Sequence, residues 1–320
     1  MKFNYYLLGL LSLSILSFTS CGDKGLKNVW ASDVEFADGG KLRVAATTTM
    51  VQDLVRTIGA DEVDVYGVMG DGIDPHSFEE RPSDTIAMKG ADVIFYSGHH
   101  LEGKLHDKLE KMEHAHAVTG SIDKASLIIP EEEYGSYADP HLWGDPVLWS
   151  NTVEVVVNVL SKKDPANKNK YVTRGEEMRN AMLEINSWAK KRLQEIPAGQ
   201  RILVTSHDAF AYYAKAFDFE VRAIDGLAPG DKGGSKKVKD LVAFIKAKDI
   251  KMIFPESAAN SKGIASIAQD AGVAVSSHEL FADATGKRGV METINGETYD
   301  VGTYIGMIKH NVNAIVEGLK

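Results

Sequence analysis

One long helical pattern near the middle of the chain most constrains the possible folds. Asp164 and Pro165 supply an N-cap and a first-turn proline, and Pro197 ends the pattern. Between them, apolar residues recur every three or four positions, at Tyr171, Met178, Met182, Ile185, Ala189 and Ile196. The pattern predicts a helix over residues 165–196, roughly 48 Å long at about 1.5 Å per residue. Because such a helix does not fit inside a small lobe, we expect it to join two lobes.

The segments on either side of this helix alternate between predicted strands and predicted helices. In the first half, the predicted strands are residues 42–47, 63–69, 91–97 and 125–129. In the second half, they are residues 201–206, 220–224, 251–254 and 273–276. Alternating strands and helices favour mostly parallel sheets. The predicted fold is therefore α/β, with two lobes that have parallel-sheet cores.

The chain length agrees with this division, since 320 residues suggest two domains of about 100–200 residues each. The predicted domains are an N-terminal α/β lobe, a long linking helix and a C-terminal α/β lobe, over residues 41–160, 161–198 and 199–320. A helix over residues 147–160, begun by Asp145-Pro146, ends the first lobe. A helix over residues 303–319 ends the second.

Composition excludes some classes of function. Apolar residues make up 44% of the chain and charged residues 25%, which is typical of a soluble globular protein. The net charge is −9, and the sequence contains no motif for binding RNA or DNA. We therefore expect no nucleic-acid partner.

The first forty residues predict export from the cytoplasm. Residues 7–18 form an apolar run of the length of a signal-peptide core, too short to span a membrane comfortably. Small residues then precede Cys21, as at a bacterial lipoprotein cleavage site. We predict a signal peptide over residues 1–20, lipidation of Cys21 and a flexible tether over residues 21–40. The alternative is an unpaired thiol, because Cys21 is the only cysteine and has no disulfide partner in the chain.

Two Asp-Pro-His tripeptides, at residues 74–76 and 139–141, predict a binding site. Proline fixes its own φ and pushes the preceding residue into an extended conformation. Each motif therefore presents its histidine from a stiff, non-helical corner. Such a corner suits a metal ligand, because a ligand that is already held in place loses little freedom on binding. One copy is more often an ordinary turn, but two copies together indicate that His76 and His141 are metal ligands.

Two further candidate ligands, His207 and Asp283, lie in the second half of the chain. Like His76, each follows a predicted strand, at the edge where open α/β sheets bind ligands. Ligands divided between two lobes can meet only in the cleft between them. Three imidazoles and one carboxylate suit Zn²⁺, or Mn²⁺ and Fe²⁺ with more oxygen character. None of the four is a soft sulfur ligand, which disfavours copper(I).

These residues also have ordinary structural interpretations. His207 is equally typical of a polar strand end, and Asp283 on its own is typical of a surface acid. The histidines of residues 99–116 lie among charged residues at helical spacing, which indicates a solvated helix face. A weak, transient metal-loading patch is the alternative. The lysine-rich loop over residues 228–237 reads Gly-Ser-Lys, not the Gly-Lys-Ser of a phosphate loop, and is predicted to be solvated.

Five motifs follow one another between residues 139 and 311, within a similarity that runs from about residue 42 to the C-terminus. They are Asp-Pro-His-Leu-Trp, Thr-Ser-His-Asp-Ala-Phe-Ala-Tyr-Tyr, Phe-Pro-Glu-Ser, Glu-Leu-Phe-Ala-Asp and Gly-Thr-Tyr-Ile-Gly-Met-Ile-Lys-His-Asn. In this order they resemble the cluster A-I (TroA-like) metal-binding proteins of ABC transporters. The resemblance implies two α/β lobes joined by one long rigid helix, with a single metal in the cleft. It also implies that His76, His141, His207 and Asp283 are the ligands.

The resemblance further implies a function. The chain is expected to bind Zn²⁺ or Mn²⁺ tightly outside the cytoplasm, with Fe²⁺ also allowed, and to deliver it to an ABC importer. The implied partners are a membrane permease and its cytoplasmic ATPase. We expect a monomer, lipid-anchored to a bacterial membrane and facing the periplasm or the cell surface. The family position that matches His207 is His or Glu, and His favours zinc. Residues 99–116 are shorter than the His- and acid-rich loop of the zinc branch, which favours manganese.

Three other functions compete with metal transport. A zinc hydrolase needs three protein ligands and an open position for water, whereas four ligands are predicted here and no His-Glu-x-x-His helix occurs. We therefore predict that the chain is not an enzyme. A surface adhesin stabilised by a structural metal is the second alternative, and chelation would unfold it. A haem- or siderophore-binding protein is the third, and it needs a wide apolar cleft in place of converging histidines.

Overall fold

The structure is a computed structural model, and it describes residues 36, 39–130, 137–230, 234–259 and 261–320. The predicted signal peptide, Cys21 and most of the predicted tether lie outside the described residues. So do residues 231–233 of the lysine-rich loop. Within the described ranges, no helix has both the length and the apolar character needed to cross a membrane.

The first half of the chain forms a four-stranded parallel sheet. Its strands are β1 (Leu42–Ala46), β2 (Val63–Gly67), β3 (Val93–Tyr96) and β4 (Ala115–Ala117), in the spatial order β2-β1-β3-β4. Its helices are α1 (Thr49–Gly59), α2 (Pro82–Gly90) and α3 (Gly103–Leu109). The Thr48 hydroxyl caps α1 by accepting from the backbone N–H of Val51. The apolar face of α1 is fully buried, which fixes this helix on the sheet.

The predicted strand over residues 125–129 is wrong. Residues Lys124–Ser126 form a single 3₁₀ turn, in which the Asp123 carboxylate accepts a 3.0 Å hydrogen bond from the backbone N–H of Ala125. Such side-chain-to-backbone bonds compete with strand pairing. The fourth place in the sheet is occupied by β4, which follows α3 directly and pairs with β3.

Three helices connect the two sheet regions: α4 (Pro146–Trp149), α5 (Thr152–Lys163) and α6 (Lys168–Leu193). The helix predicted over residues 147–160 is broken after Trp149. There, the hydroxyls of Ser150 and Thr152 donate to the carbonyls of Val147 and Trp149. The long helix α6 has 26 residues and is shorter than predicted at both ends. It begins late because Pro165–Asn167 form a separate 3₁₀ turn, and it ends at Leu193, three residues before the predicted end.

The second half contains two parallel strand pairs. The strands β5 (Ile202–Thr205) and β6 (Glu220–Ala223) form one pair, and β7 (Met252–Ile253) and β8 (Ala274–Val275) form the other. The helices are α7 (Ala211–Phe217), α8 (Ser235–Ala247), α9 (Ser261–Ala271) and α10 (Tyr304–Leu319). The chain thus has the α/β fold with parallel-sheet cores that the sequence predicts.

An antiparallel hairpin was not predicted. Its strands are β9 (Met291–Ile294) and β10 (Glu297–Asp300), joined at Asn295 and Gly296, which both have positive φ. Asn-Gly between two short strands is the strongest local signal for such a turn, so the hairpin could have been found from the sequence.

The largest apolar cluster runs through both halves of the chain. It includes buried residues of α1, α5, β5, α7 and the hairpin, together with the buried faces of α6 and α10. Helix α6 packs against α1, α4, α5 and α10. Two smaller clusters lie in the first sheet and around β5, β7, α8 and α9. Apolar contacts therefore cross the predicted lobe limits, which remain a prediction.

Candidate metal centre

The four residues expected to bind metal come from four separate connections. His76 lies between β2 and α2, and His141 precedes the turn that leads into α4. His207 lies two residues after the end of β5, and Asp283 lies between β8 and β9. The structure brings all four together, with one ligating atom of each within 4.8 Å of all the others.

The separations between these atoms match a small metal ion. The Nε2 atoms of His76 and His141 are 3.2 Å apart. One carboxylate oxygen of Asp283 is 3.4 Å from His141 Nε2, and the other is 3.1 Å from His207 Nε2 and 3.8 Å from His76 Nε2. Bonds of about 2.0–2.1 Å in a tetrahedral zinc site put neighbouring ligand atoms roughly 3.3 Å apart. The observed spacing is close to that value.

The cluster is buried and its polar atoms lack ordinary partners. His141, His207 and Asp283 are at most 1% exposed, whereas the His76 side chain is 11% exposed. His207 Nε2 and both Asp283 carboxylate oxygens have no hydrogen-bond partner, although they lie close to one another. Leaving a buried polar atom unpaired typically costs about 1–3 kcal/mol, and more for a charged group. A bound cation would satisfy these atoms together.

The two Asp-Pro-His motifs form the same local turn. Asp74 Oδ1 accepts from the backbone N–H of His76 at 2.8 Å, and Asp139 Oδ1 accepts from that of His141 at 2.9 Å. An aspartate that binds the backbone two residues later forms an Asx turn. This bond, together with the proline between, holds each histidine in a non-helical corner.

Two buried carboxylates orient two of the rings. Asp139 Oδ1 lies 2.8 Å from His141 Nδ1. Glu256 Oε2 contacts His207 Nδ1, and Glu256 Oε1 accepts from the backbone N–H groups of Ser206 and His207 at 2.7 and 3.0 Å. A carboxylate on Nδ1 fixes the tautomer that leaves Nε2 free for a metal, and it strengthens the ligand.

The same carboxylates set the charge of the metal-free cluster. Burial lowers the pKa of His141, but Asp139 and Asp283 outweigh it and raise this pKa to about 9. Burial also lowers the pKa of His207, but Asp283 and Glu256 outweigh burial and raise this pKa well above its usual value. Burial and the two neighbouring rings lower the pKa of His76 to about 4. The imidazoles hold the pKa of Asp283 well below its usual range, against the effect of burial.

Comparison with known proteins identifies the family. Residues 44–318 match the model of the zinc-uptake complex component A (ZnuA) family, described as periplasmic. The chain belongs to this family. The family consists of solute-binding proteins, which are not enzymes, as the sequence predicted. Its members work with the permease and ATPase components of ABC transporters.

Individual relatives support this assignment. The manganese-binding lipoprotein MntA of Bacillus subtilis is 35% identical over 287 residues, which cover 88% of this chain and 90% of MntA. The zinc-binding protein TroA of Treponema pallidum is 32% identical over 305 residues, covering 92% of this chain and 94% of TroA. A solved structure of periplasmic TroA superposes with a TM-score of 0.80 and covers 88% of this chain and 99% of that one. The TroA-like resemblance is thereby confirmed.

The histidines of residues 99–116 are not part of this four-residue cluster. His99 and His100 line a cavity of about 420 Å³ beside His76. His106 Nε2 is 3.2 Å from Glu110, and His114 Nε2 is 3.3 Å from the carbonyl oxygen of Met88. Only Gly103–Leu109 of this region is helical. The metal-loading patch remains a prediction.

Sequence reasoning missed the two orienting carboxylates. Asp139 was visible in the Asp-Pro-His motif, where it was considered only for the backbone turn. Glu256 lies in the Phe-Pro-Glu-Ser motif, 49 residues from His207, and no spacing rule connects the two. A ligating histidine usually donates its other ring N–H to a carboxylate, a backbone carbonyl or water, so partners of this kind are expected in general but not at particular residues.

Proposed function

We propose that this chain binds one divalent transition-metal ion outside the cytoplasm and delivers it to an ABC importer, with His76, His141, His207 and Asp283 as ligands. The observation that carries the proposal is the buried convergence of three Nε2 atoms and one carboxylate, spaced at 3.1–3.8 Å along the measured pairs. Membership of a family of solute-binding proteins supports delivery as the purpose of binding.

The cargo is Zn²⁺ or Mn²⁺, and Fe²⁺ is compatible with the same ligands. Three imidazoles favour zinc, whereas a carboxylate that offers both oxygens also suits manganese. The relatives divide in the same way, since MntA is named as manganese-binding and TroA as zinc-binding. Affinity alone follows the Irving–Williams order, so metal availability and site geometry together decide the cargo in the cell.

The site is proposed to hold the metal as transported cargo, without a structural role. Extensive apolar clusters on both sides of the ligands support a fold that persists without metal. This feature separates the proposal from the adhesin alternative, in which the metal stabilises the structure. Chelation should leave a transport protein folded and should unfold a metal-stabilised adhesin.

We further propose that the chain works as a monomer anchored through a lipid on Cys21. Its relatives MntA of Bacillus subtilis and PsaA of Streptococcus mitis are named as lipoproteins, which supports the anchor. The predicted tether would let the folded part reach a permease in the same membrane.

Metal analysis tests the proposed function directly. Protein purified without added metal, then loaded and desalted, should retain one Zn²⁺ or Mn²⁺ per chain. A quadruple variant with His76, His141, His207 and Asp283 changed to alanine should retain none. Cells carrying this variant should lose the metal uptake that the wild-type chain restores. Retention of metal by the quadruple variant, or undiminished uptake, would contradict the ligand assignment.

A further inference from the structure

Asp283 belongs to the C-terminal half of the chain, and the backbone of Phe281 is hydrogen-bonded to Asn311 in that half. Two hydrogen bonds nearby, however, lead to the N-terminal half. The indole N–H of Trp143 donates a 2.7 Å hydrogen bond to the carbonyl oxygen of Ala282. The backbone N–H of Thr285 donates a 2.7 Å hydrogen bond to the hydroxyl of Thr49. One of these bonds precedes Asp283 by one residue, and the other follows it by two.

The first of these bonds connects two ligands over a short path. Trp143 follows His141 by two residues, and its side chain is 3% exposed. Its ring lies 5.3 Å from the His141 ring, at an angle of 72°. The carbonyl oxygen of Trp143 also accepts a 2.8 Å hydrogen bond from the Tyr304 hydroxyl. The segment that carries His141 therefore also holds the segment that carries Asp283.

A second connection secures the following residues to α1. Asp53 is 3% exposed; one of its carboxylate oxygens accepts from Arg288, at 2.5 Å, and the other from the backbone N–H of Tyr304, at 2.9 Å. Asp53 lies one turn after Thr49 on the same helix. The loop after Asp283 and the start of α10 are thus fastened to one helix of the N-terminal half.

His207 is held in a different way. Its backbone N–H and its Nδ1 contact Glu256, which follows β7 in the C-terminal half. The Glu256 carboxylate also accepts from Ser206. These contacts do not involve the N-terminal half. The segment of Glu256 also pairs with Leu280, three residues before Asp283, so the C-terminal half contacts both ligand segments.

From this arrangement, and resting on the proposed function, we propose that Trp143 and Thr49 are positioning residues that fix Asp283 to the N-terminal half. Their hydrogen bonds hold the Asp283 carboxylate beside His76 and His141 whether or not metal is bound.

A double-mutant cycle tests the positioning role. Thr49→Val removes the hydroxyl acceptor and keeps the shape, and Zn²⁺ affinity is measured by competition with a chelator. We expect a loss of about 10–100-fold, the range for residues that orient a metal ligand. Thr49→Ser should restore the wild-type affinity. Thr173→Val, at an exposed position of α6, is the matched control and should have no effect.

The cycle is completed in an Asp283→Asn background. If Thr49 acts through the Asp283 carboxylate, Thr49→Val should change the affinity of the Asn variant much less than that of the wild type. An equal loss in both backgrounds, or no loss in the wild type, would overturn the proposal. Trp143→Phe provides an independent variant that removes the donor to Ala282, with the same two expectations. A wild-type chain that binds no metal would instead contradict the proposed function.

Hydrogen exchange tests whether the bond between Thr285 and Thr49 exists without metal. The amide proton of Thr285 should be equally protected with and without Zn²⁺, because its bond to Thr49 does not require metal. Protection that develops only on metal binding would contradict the proposed positioning role. Thr49→Val should remove this protection in both states, which verifies that the measured amide reports the proposed bond.

Discussion

Asp139 Oδ1 accepts hydrogen bonds from both the backbone N–H and the ring Nδ1 of His141, at 2.9 and 2.8 Å. Asp74, at the same place in the other Asp-Pro-His motif, makes only the first of these two bonds. The repeated tripeptide therefore forms the same turn twice. Asp139 also orients the ring of His141, whereas Asp74 makes no hydrogen bond to the ring of His76.

This difference predicts unequal effects for one conservative change. Asparagine keeps an oxygen that can accept the backbone hydrogen bond, but it lacks the negative charge that a carboxylate places beside the histidine ring. Asp139→Asn should weaken Zn²⁺ binding by about 10–100-fold, the usual effect of losing an orienting carboxylate. Asp74→Asn should have a much smaller effect, since its turn remains. Chelator competition on both purified variants measures the difference, and equal affinities would contradict it.

The assignment of His207 predicts a large loss on substitution. His207→Ala should weaken Zn²⁺ binding by more than the roughly 10–100-fold expected for an orienting residue. His114→Ala is the matched control, because His114 contacts the carbonyl oxygen of Met88 and lies outside the cluster. Both variants should remain folded by circular dichroism. A His114 variant that loses as much affinity as the His207 variant would refute the assignment.

Metal affinity should rise with pH into the alkaline range. The pKa of His141 is raised to about 9, so this ring is positively charged at neutral pH in the metal-free protein, and the raised pKa of His207 acts in the same direction. A metal must displace the proton on Nε2 of His141, so affinity should increase by about one decade per pH unit below pH 9, and more steeply wherever His207 is also charged. His76, with a pKa of about 4, adds nothing there. Affinity that is level between about pH 7 and 9 would contradict this.

The same protonation predicts the opposite trend for metal-free stability. A histidine whose folded pKa exceeds its unfolded value of about 6.5 stabilises the fold fully below that value. This contribution of His141 is lost as the pH rises through about 9. Thermal unfolding of metal-free protein should therefore show a falling midpoint between about pH 7 and 9. His141→Gln should flatten that fall, and an unchanged slope would count against the assigned protonation.

Bound metal should stabilise a protein that is already folded without it. A ligand at about 100 times its dissociation constant adds roughly 2.7 kcal/mol to the free energy of unfolding. Differential scanning calorimetry should show one cooperative transition in chelator and a higher midpoint with Zn²⁺ or Mn²⁺. A chain that is unfolded in chelator would favour the metal-stabilised adhesin.

The predicted lipid anchor can be tested independently of metal. Cys21→Ser should leave an unprocessed precursor or release the chain from the membrane fraction, because it removes the acylated side chain. Immunoblots of fractionated cells measure both outcomes. A processed Cys21→Ser variant that still sediments with membranes would contradict lipidation.

The sequence predicted the parts of the site that local patterns determine. His76 and His141 were recognised because proline and aspartate shape the chain within three residues. The positions of β1, β5 and α6 followed from apolar periodicity over short windows. The pKa of an isolated histidine, about 6.5, does not apply to His141 and His207, because nearby carboxylates raise it. The contact of Glu256 with His207 depends on the fold and leaves no local pattern in the sequence.

The contacts around Asp283 could not be predicted for the same reason. Trp143 and Ala282 are 139 residues apart, and Thr49 and Thr285 are 236 apart. Hydrogen bonds between side chain and distant backbone leave no periodic trace in a sequence. Residues 125–129 show that a local apolar pattern can also predict a strand that does not form. This segment begins in a 3₁₀ turn, and β4 takes the place beside β3 in the sheet.

The shared apolar cluster has a consequence for hybrid proteins built from members of this family. Tyr304, Met307, Val312 and Ile315 of α10 are buried in the cluster that also contains the inner faces of α1 and α6. A fragment that stops after α6 would expose those apolar faces to solvent and would tend to aggregate. A chimera that takes its first half from a relative must therefore also take that relative's C-terminal helix. The packed faces of α1, α6 and α10 then come from the same protein.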